Sequence, residues 1–273
     1  MMRGMQSTPP LDATAIVSEL SSASCRALTV QVHDAVNSTN DSVRDVHQSG
    51  SCHGAAVLAE SQTAGRGRRG RKWHSPAGAN LYCSLGWHFH CSMEALSGLS
   101  LMVGAMLAEA IARSCRIEVQ LKWPNDLYFD GRKLGGVLIE LLGESEGRQA
   151  VVIGVGLNVA MPAPASEVLD RPWTDLSQAT GKDIDRNRLA AAVLDQLVTG
   201  LPALDSGDDA IWLDQWRRRD FLLGRSVVVE GSPPLAGIAA GIEDTGALIL
   251  HTETGQCTVA GGDISILEIG APA

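Results

Sequence analysis

The chain has 273 residues, 45% of them hydrophobic and 19% charged, with a net charge of −9 and a pI near 5.2. That length carries one large core, or a main domain with a small companion, and the apolar content excludes a largely disordered chain. The acidic balance excludes a dedicated nucleic-acid binder, whose domain is usually basic.

In chain order, residues 1–27 are rich in Ser, Thr and Ala and lack a basic start followed by a long apolar run. They read as an N-terminal extension, partly flexible, with a short helix near 11–20. Residues 28–33 predict a strand. Ser38-Thr39-Asn40-Asp41 reads as a helix start, with Ser38 or Thr39 as the cap. Residues 55–60 predict a short apolar strand and 81–87 another, with a loop at 62–73 between them. Helical spacing spans 95–114, with Leu96, Leu99, Val103, Met106, Leu107 and Ala110 on one side. Its glycines, polar interruptions and Glu109 mark a buried helix rather than a membrane span.

A strand at 117–123 ends in Lys122-Trp123-Pro124-Asn125-Asp126, where Pro124 and Asn125 mark a turn. Strands at 127–129 and 134–142 pair around Asp130-Gly131, and 151–159 adds another. The proline-rich stretch 161–172 reads as a mobile loop. Asn187 caps a helix to about 204, and a further helix runs over 208–219. From 224 onward, β-runs at 226–230, 236–242, 247–251, 256–260 and 264–269 alternate with Gly-rich turns. That is the pattern of a small β-barrel.

Six cysteines include no Cys-x-x-Cys pair, so no zinc or redox dithiol motif is written in the spacing. Free thiols fit a reducing cytoplasm. The seven histidines form no helical metal pair; His88 and His90 share a strand face, but two ligands rarely make a site. The block Gly65-Arg66-Gly67-Arg68-Arg69-Gly70-Arg71-Lys72-Trp73 is the local exception in an acidic chain. Glycines let a backbone approach a ligand closely, and arginines supply planar forks for phosphate or carboxylate. Taken alone, the block is an anion-holding loop, a flexible basic loop or an RNA-binding Arg-Gly segment.

The motifs, in order, resemble the biotin–protein ligase family. They are Ser38-Thr39-Asn40; Gln62-Thr63-Ala64 leading into the Gly65–Trp73 block; Ser75-Pro76 with Gly78-Ala79-Asn80-Leu81; Lys122-Trp123-Pro124-Asn125-Asp126; Lys133-Leu134-Gly135-Gly136; and Gly154-Val155-Gly156-Leu157-Asn158. The resemblance implies an α+β fold: a catalytic domain at 28–222, with a mixed sheet and packed helices, then an SH3-like barrel at 223–273. It implies ATP and biotin as substrates, Mg²⁺ as the accompanying ion, and biotinyl-5′-AMP as the intermediate. The expected partner is the biotin carboxyl carrier domain of acetyl-CoA carboxylase, with the enzyme a monomer or homodimer, no specific DNA and no membrane. Only about 27 residues precede the first matching strand, too few for the DNA-binding module of repressor relatives. A lipoate–protein ligase and a biotin-sensing regulator are the alternatives.

The implied biotin residues are Ser38, Thr39, Asn40, Gln62, Arg66, Gly67, Arg68, Lys133, Gly135 and Gly136. Hydroxyls and a side-chain amide suit the ureido ring, although Ser38-Thr39-Asn40 is also a plain N-cap. Arg66 and Arg68 are expected to hold the carboxylate and the adenylate phosphate, while Arg69, Arg71 and Lys72 face solvent or close the loop. Glycine in that loop implies ordering when ligand binds. Lys133, with Arg68 and Lys122, is the expected catalytic set. Trp73, Lys122, Asn125, Asp126, Asn158 and Trp173 complete the ATP side; Trp73 and Trp173 are equally core tryptophans, and Asp126 is equally a Mg²⁺ ligand or a turn residue. Some relatives carry a cation in the last strand, and 264–269 has none.

Overall fold

The computed structural model describes residues 9–145, 147–162 and 172–267. Seven strands form the main sheet: β1 Thr29–Val36, β2 Ala55–Gln62, β3 Asn80–Phe89, β4 Gln120–Lys122, β5 Asp126–Phe129, β6 Arg132–Ser145 and β7 Arg148–Asn158. Their order is β1-β2-β3-β7-β6-β5-β4. Only β1 and β2 run parallel, which requires a crossover. Helix α1 (Thr39–Gln48) supplies it and lies on one face of the sheet.

Period-two alternation sorts the strands into two faces. Leu81, Cys83, Leu85, Trp87 and Phe89 of β3, with Val151, Ile153, Val155 and Leu157 of β7, point into the large core. Helix α2 (Leu99–Cys115) and helix α3 (Arg186–Gly200) fill that side. The opposite face, under α1, holds a small cluster of Val43, Cys52, Val57 and Val152, and around it lie polar residues and glycines such as Ser84, Gly86, Gly154, Gly156 and Asn158. Thus one face carries the packing and the other is left for chemistry.

Several sequence expectations shift. Helix α2 is buried nearly all round, including Leu101, Met102, Ala105 and Ile111, so the one-sided stripe understated its position. The segment 94–115 is long and apolar enough to cross a bilayer, yet 67% of its most apolar window is buried inside the fold. The strand expected at 117–123 shrinks to 120–122. Asp185, not Asn187, caps α3 by accepting from Asn187 and Arg188 N–H groups; Asn187 instead bonds Pro10 and Asp12. Residues 9–27 are packed rather than loose. Short helices cover Ala13–Glu19 and Ser22–Ala27, Leu11 and Ile16 enter the core, and the buried Arg186 donates to the Pro9 carbonyl and to Glu60. The proline-rich 161–172 loop lies mostly outside the described residues.

The C-terminal strands β8 Ser226–Val229, β9 Leu235–Ile242, β10 Leu248–Thr252, β11 Gly255–Val259 and β12 Ile264–Ile266 form an antiparallel SH3-like sheet, ordered β11-β10-β9-β8-β12. Its Val227, Ala239, Leu248 and Leu250 belong to the same core cluster as the main sheet. Trp123 Nε1 donates to the Gly246 carbonyl at 2.9 Å. The two parts therefore share packing as well as polar ties.

Candidate functional site

A cavity of about 310 Å³ opens on the chemical face of the sheet, between the start of α1 and the 62–75 loop. Its floor depends on missing side chains. A Cβ on Gly154 would lie 2.4 Å from Asn40 Oδ1, and one on Gly156 would lie 2.7 Å from the Trp73 ring. Any larger residue in these β7 positions would expel α1 or the tryptophan.

The α1 end of the cavity is polar. Gln62, at the last position of β2, accepts from the Thr39 N–H at 2.9 Å and donates to Ser75 Oγ at 3.0 Å. It thereby does the capping expected of Ser38, whose own side chain makes no capping bond. Ser84 Oγ bonds Thr39 Oγ1 at 2.7 Å and Asn40 Oδ1 at 2.6 Å. The Asn40 amide donates to Glu140. Ser38, Thr39 and Asn40 are all buried, so this is a preorganised set of hydroxyls and amides rather than a solvated helix end.

The glycine–arginine loop forms a hairpin. Arg66 bridges Lys72 across it, Gly67 N–H donates to the Arg71 carbonyl, and Trp73 N–H to that of Gly65. Carboxylates clamp its cations at both ends. Arg66 forms a bidentate pair with Asp41 at 2.6 and 2.7 Å and approaches Glu140 at 3.7 Å. Its hydrogen bond holds the Asp41 carboxyl below the usual range. At the other end, Asp263 of the C-terminal sheet faces Arg71 at 2.9 Å, Arg69 at 3.4 Å and Arg68 at 3.9 Å.

Arg68 itself reaches into the cavity, donating at 3.3 Å to Asn125 Oδ1 and to the Gly262 carbonyl. Burial pushes its pKa down, against the pull of Asp263 and Asp126. A guanidinium stays charged in any case, so this is a desolvated cation that an added anion would stabilise. Lys133 Nζ pairs with Asp126 Oδ1 at 2.6 Å, both side chains being 15% exposed. The same ammonium lies 5.4 Å from the Trp73 ring centroid, within cation–π range. Trp73 Nε1 is buried without a hydrogen-bond partner. The lining thus sets Arg66, Arg68, Arg71, Lys72 and Lys133 against the carboxylate of Asp126.

Most expected site residues meet here: Ser38, Thr39, Asn40, Gln62, Arg66, Gly67, Arg68, Trp73, Asn125, Asp126, Lys133, Gly136, Asn158 and Trp173 all line the cavity. Two do not. Lys122 donates to the Ile264 carbonyl at 2.9 Å and lies over the Tyr128 ring; it ties the sheet to the C-terminal part and stands outside the cavity lining. Gly135 faces the other way, where a Cβ would press on Gly156 and Leu157. Asn158 supports the wall, since its amide donates to the Thr174 carbonyl at 3.0 Å. Asp41, Glu140 and Asp263, which set the loop's electrostatics, were missed because carboxylates distant in sequence carry no local signal. Gly154 and Gly156 had one, two glycines sharing a face of an apolar strand.

Residues 32–158 match the Biotin/lipoate A/B protein ligase family, and residues 222–267 match the Biotin protein ligase C terminal domain. A Bifunctional ligase/repressor BirA of Salmonella typhimurium is 39% identical over 258 residues, covering 94% of this chain and 78% of that protein. A Biotin--[acetyl-CoA-carboxylase] ligase of Mycobacterium tuberculosis is 33% identical, covering 94% and 96%. Among solved structures, biotin protein ligase from Aquifex aeolicus in complex with biotin and ATP aligns with a TM-score of 0.73 at 28% identity, covering 88% of this chain and 98% of that one.

Proposed function

Because the chain belongs to the biotin protein ligase family, we propose that this cavity makes and holds biotinyl-5′-AMP before handing biotin to a carrier lysine. The activity is an ATP-dependent biotin–protein ligation. A biotin carboxylate oxygen attacks the α-phosphorus of ATP, pyrophosphate leaves, and a mixed anhydride remains. The neutral ε-amine of the acceptor lysine then attacks the acyl carbon, loses a proton, and AMP departs.

One observation carries the assignment of residues: a single cavity has a hydroxyl–amide end at α1 and a cationic end at the loop. The first matches the ureido ring, through Ser38, Thr39 and Asn40, with Gln62 fixing their backbone. Leu138, on the same face as Gly154 and Gly156, gives the valeryl chain an apolar contact. The second end meets the anions. Carboxylate and α-phosphate repel each other, and fixed cations offset that repulsion most where charge accumulates in the transition state. Lys133 and Arg68 take this role. Lys133 exchanges Asp126 for the substrate oxygens, and Arg68 holds the adenylate phosphate. Arg66, clamped by Asp41, anchors the loop, which shields the labile anhydride from water.

Asp126 and the Asn125 side chain lie beside Lys133 and Arg68, a donor set that suits an ion arriving with the nucleotide, since Mg²⁺ takes one or two carboxylates plus phosphates. There Asp126 would hold Mg²⁺, which neutralises charge on the departing pyrophosphate. Trp73 and Trp173 border the cavity where the adenine would lie.

The acceptor is the biotin carboxyl carrier domain of acetyl-CoA carboxylase, as the name of the Mycobacterium relative suggests, and the setting is the reducing cytoplasm, in keeping with cysteines free throughout the described residues. The test incubates the protein with labelled ATP, biotin or lipoate, and a carrier domain. Labelled biotinyl-AMP followed by one biotinylated lysine in the mass spectrum is the expected result. No adenylate, or equal use of lipoate, would overturn the reading.

A further inference from the structure

Helix α1 rests on β3 through three alternate positions of one strand face. Ser84 bonds the helix start at Thr39 and Asn40. Two residues on, Gly86 makes room for the chain after the helix: a Cβ there would lie 2.3 Å from the Cys52 carbonyl oxygen and 2.7 Å from Cys52 Cβ. Two further on, His88 faces the helix end at His47, with ring centroids 6.2 Å apart and edge-on. The first contact shapes the ligase cavity. The last brings together three groups that the ligase reaction does not use.

Cys52 is buried, and its Sγ lies 3.7 Å from His88 Nε2. His47 Nδ1 is buried with no hydrogen-bond partner. The ligand atoms of His47, Cys52 and His88 all lie within 4.8 Å of one another. In a tetrahedral zinc site, bonds of about 2.3 Å to sulfur and 2.0–2.1 Å to nitrogen place the donors about 3.4–3.6 Å apart. The Cys52–His88 pair, at 3.7 Å, is close to that spacing, and a His47 ring nitrogen lies within 4.8 Å of both. An orphaned buried imidazole nitrogen normally costs free energy, and coordination would satisfy it.

We propose that His47, Cys52 and His88 form a binding site for a zinc-class divalent ion, remote from the adenylate cavity. One thiolate and two imidazoles select a borderline-soft ion over Mg²⁺. Three protein ligands leave the fourth position to water or a small exogenous ligand. Coordination needs the thiolate, so Cys52 releases its proton to solvent on binding. The thiolate charge also offsets Arg148, whose positive charge bears on His88. The ion pins the C-terminal end of the helix whose N-terminal end lines the ligase cavity. No Cys-x-x-Cys or helical His pair announces the site, because its ligands come from a helix, a loop and a strand.

The test strips the full-length protein with chelator and titrates it with Co²⁺ alone, without ATP or biotin. The expected result is one equivalent bound with a near-ultraviolet thiolate-to-cobalt charge-transfer band, displaced by Zn²⁺. A hundredfold excess of Zn²⁺ over Kd would raise Tm by about 5 °C. Cys52→Ser abolishes the band, and His88→Gln weakens binding at least about tenfold. Absence of the band in the unmodified protein, or its survival in Cys52→Ser, overturns the proposal. Should Cys52→Ser not fold, His47→Gln decides, since it changes only the half-buried helix end: tenfold weaker Co²⁺ binding supports the site, and unchanged binding refutes it.

Discussion

Asp263→Asn tests whether the C-terminal sheet holds the glycine–arginine loop closed. In the structure one carboxylate, 13% exposed, faces Arg71 at 2.9 Å, Arg69 at 3.4 Å and Arg68 at 3.9 Å. Bare Coulomb energies at these distances would be several kcal/mol each even at an effective dielectric near 20. Arg69 and Arg71 are, however, about half exposed, and measured pairs of that kind contribute about 0.2–1 kcal/mol. Losing all three contacts should therefore weaken the latch by about 1–2 kcal/mol, roughly 5- to 30-fold in the closed population. The assay is release of preformed, radiolabelled biotinyl-AMP into excess unlabelled adenylate, followed by rapid filtration. The variant should release it 5- to 30-fold faster, with an effect that shrinks at high salt. Release at the unaltered rate would show that the latch is ornamental to the loop. Slower release would mean that Asp263 competes with the adenylate for Arg68.

Lys133→Ala should slow pyrophosphate release by about 10²–10³, the usual effect of removing one preorganised charge partner, while biotin affinity falls less than tenfold; a normal burst in quench-flow would sink its catalytic role. Gly154→Ala places a methyl 2.4 Å from Asn40 Oδ1, an overpacking of about 1–3 kcal/mol; calorimetry should find biotin binding at least about tenfold weaker, and unaltered affinity would mean that α1 can shift freely. Burial raises the Asp220 pKa to about 6, and its Oδ2 has no hydrogen-bond partner. The folded state therefore binds the extra proton between pH 4 and 6, so stability is fullest below the unfolded pKa and falls as pH rises through about 6. Asp220→Asn should raise stability at pH 8 by about 1–2 kcal/mol and leave it unchanged at pH 4; equal effects at both pH values in urea titrations would refute that origin.

Much of the site was legible because its chemistry is carried by contiguous words. Lys-Trp-Pro-Asn-Asp and the glycine–arginine block put charged groups at fixed offsets, and most of them line one cavity. The exceptions share a cause. Lys122 is the last residue of a short strand, and which way it faces is decided by pairing with β5 and by contact with Ile264, 142 residues away. Gly135 and Gly136 differ by one strand position, so one fits the floor and the other packs on Leu157. No local pattern fixes such parity when both residues are glycine. For α2, apolar spacing identified the helix but not its environment, because helices pack on more than one side of it. Residues 9–27 looked like an extension because only Leu11 and Ile16 are buried in the core, with Leu20 packed beside it, too few to register as a periodic face.

Three cations of the cavity, Arg66, Arg71 and Lys133, each already have a carboxylate within 3 Å: Asp41, Asp263 and Asp126. On the proposed assignment, substrate binding at Lys133 would be an exchange of anions rather than the capture of a bare charge, while Arg66 and Arg71 keep the pairs that anchor and latch the loop. Exchange gives modest ground-state affinity, because each new contact replaces an old one. It favours the transition state more, because charge on the reacting phosphate grows while that on the displaced aspartate does not. The same pairing offsets the positive charge that the loop concentrates in a chain of net charge −9. Arg68 is paired differently. Its carboxylate neighbour stands off at 3.9 Å, its hydrogen bonds go to a side-chain amide and a backbone carbonyl, and burial opposes its charge. It is the cavity cation with the most to gain from a phosphate oxygen, and so the one on which retention of the adenylate should depend most.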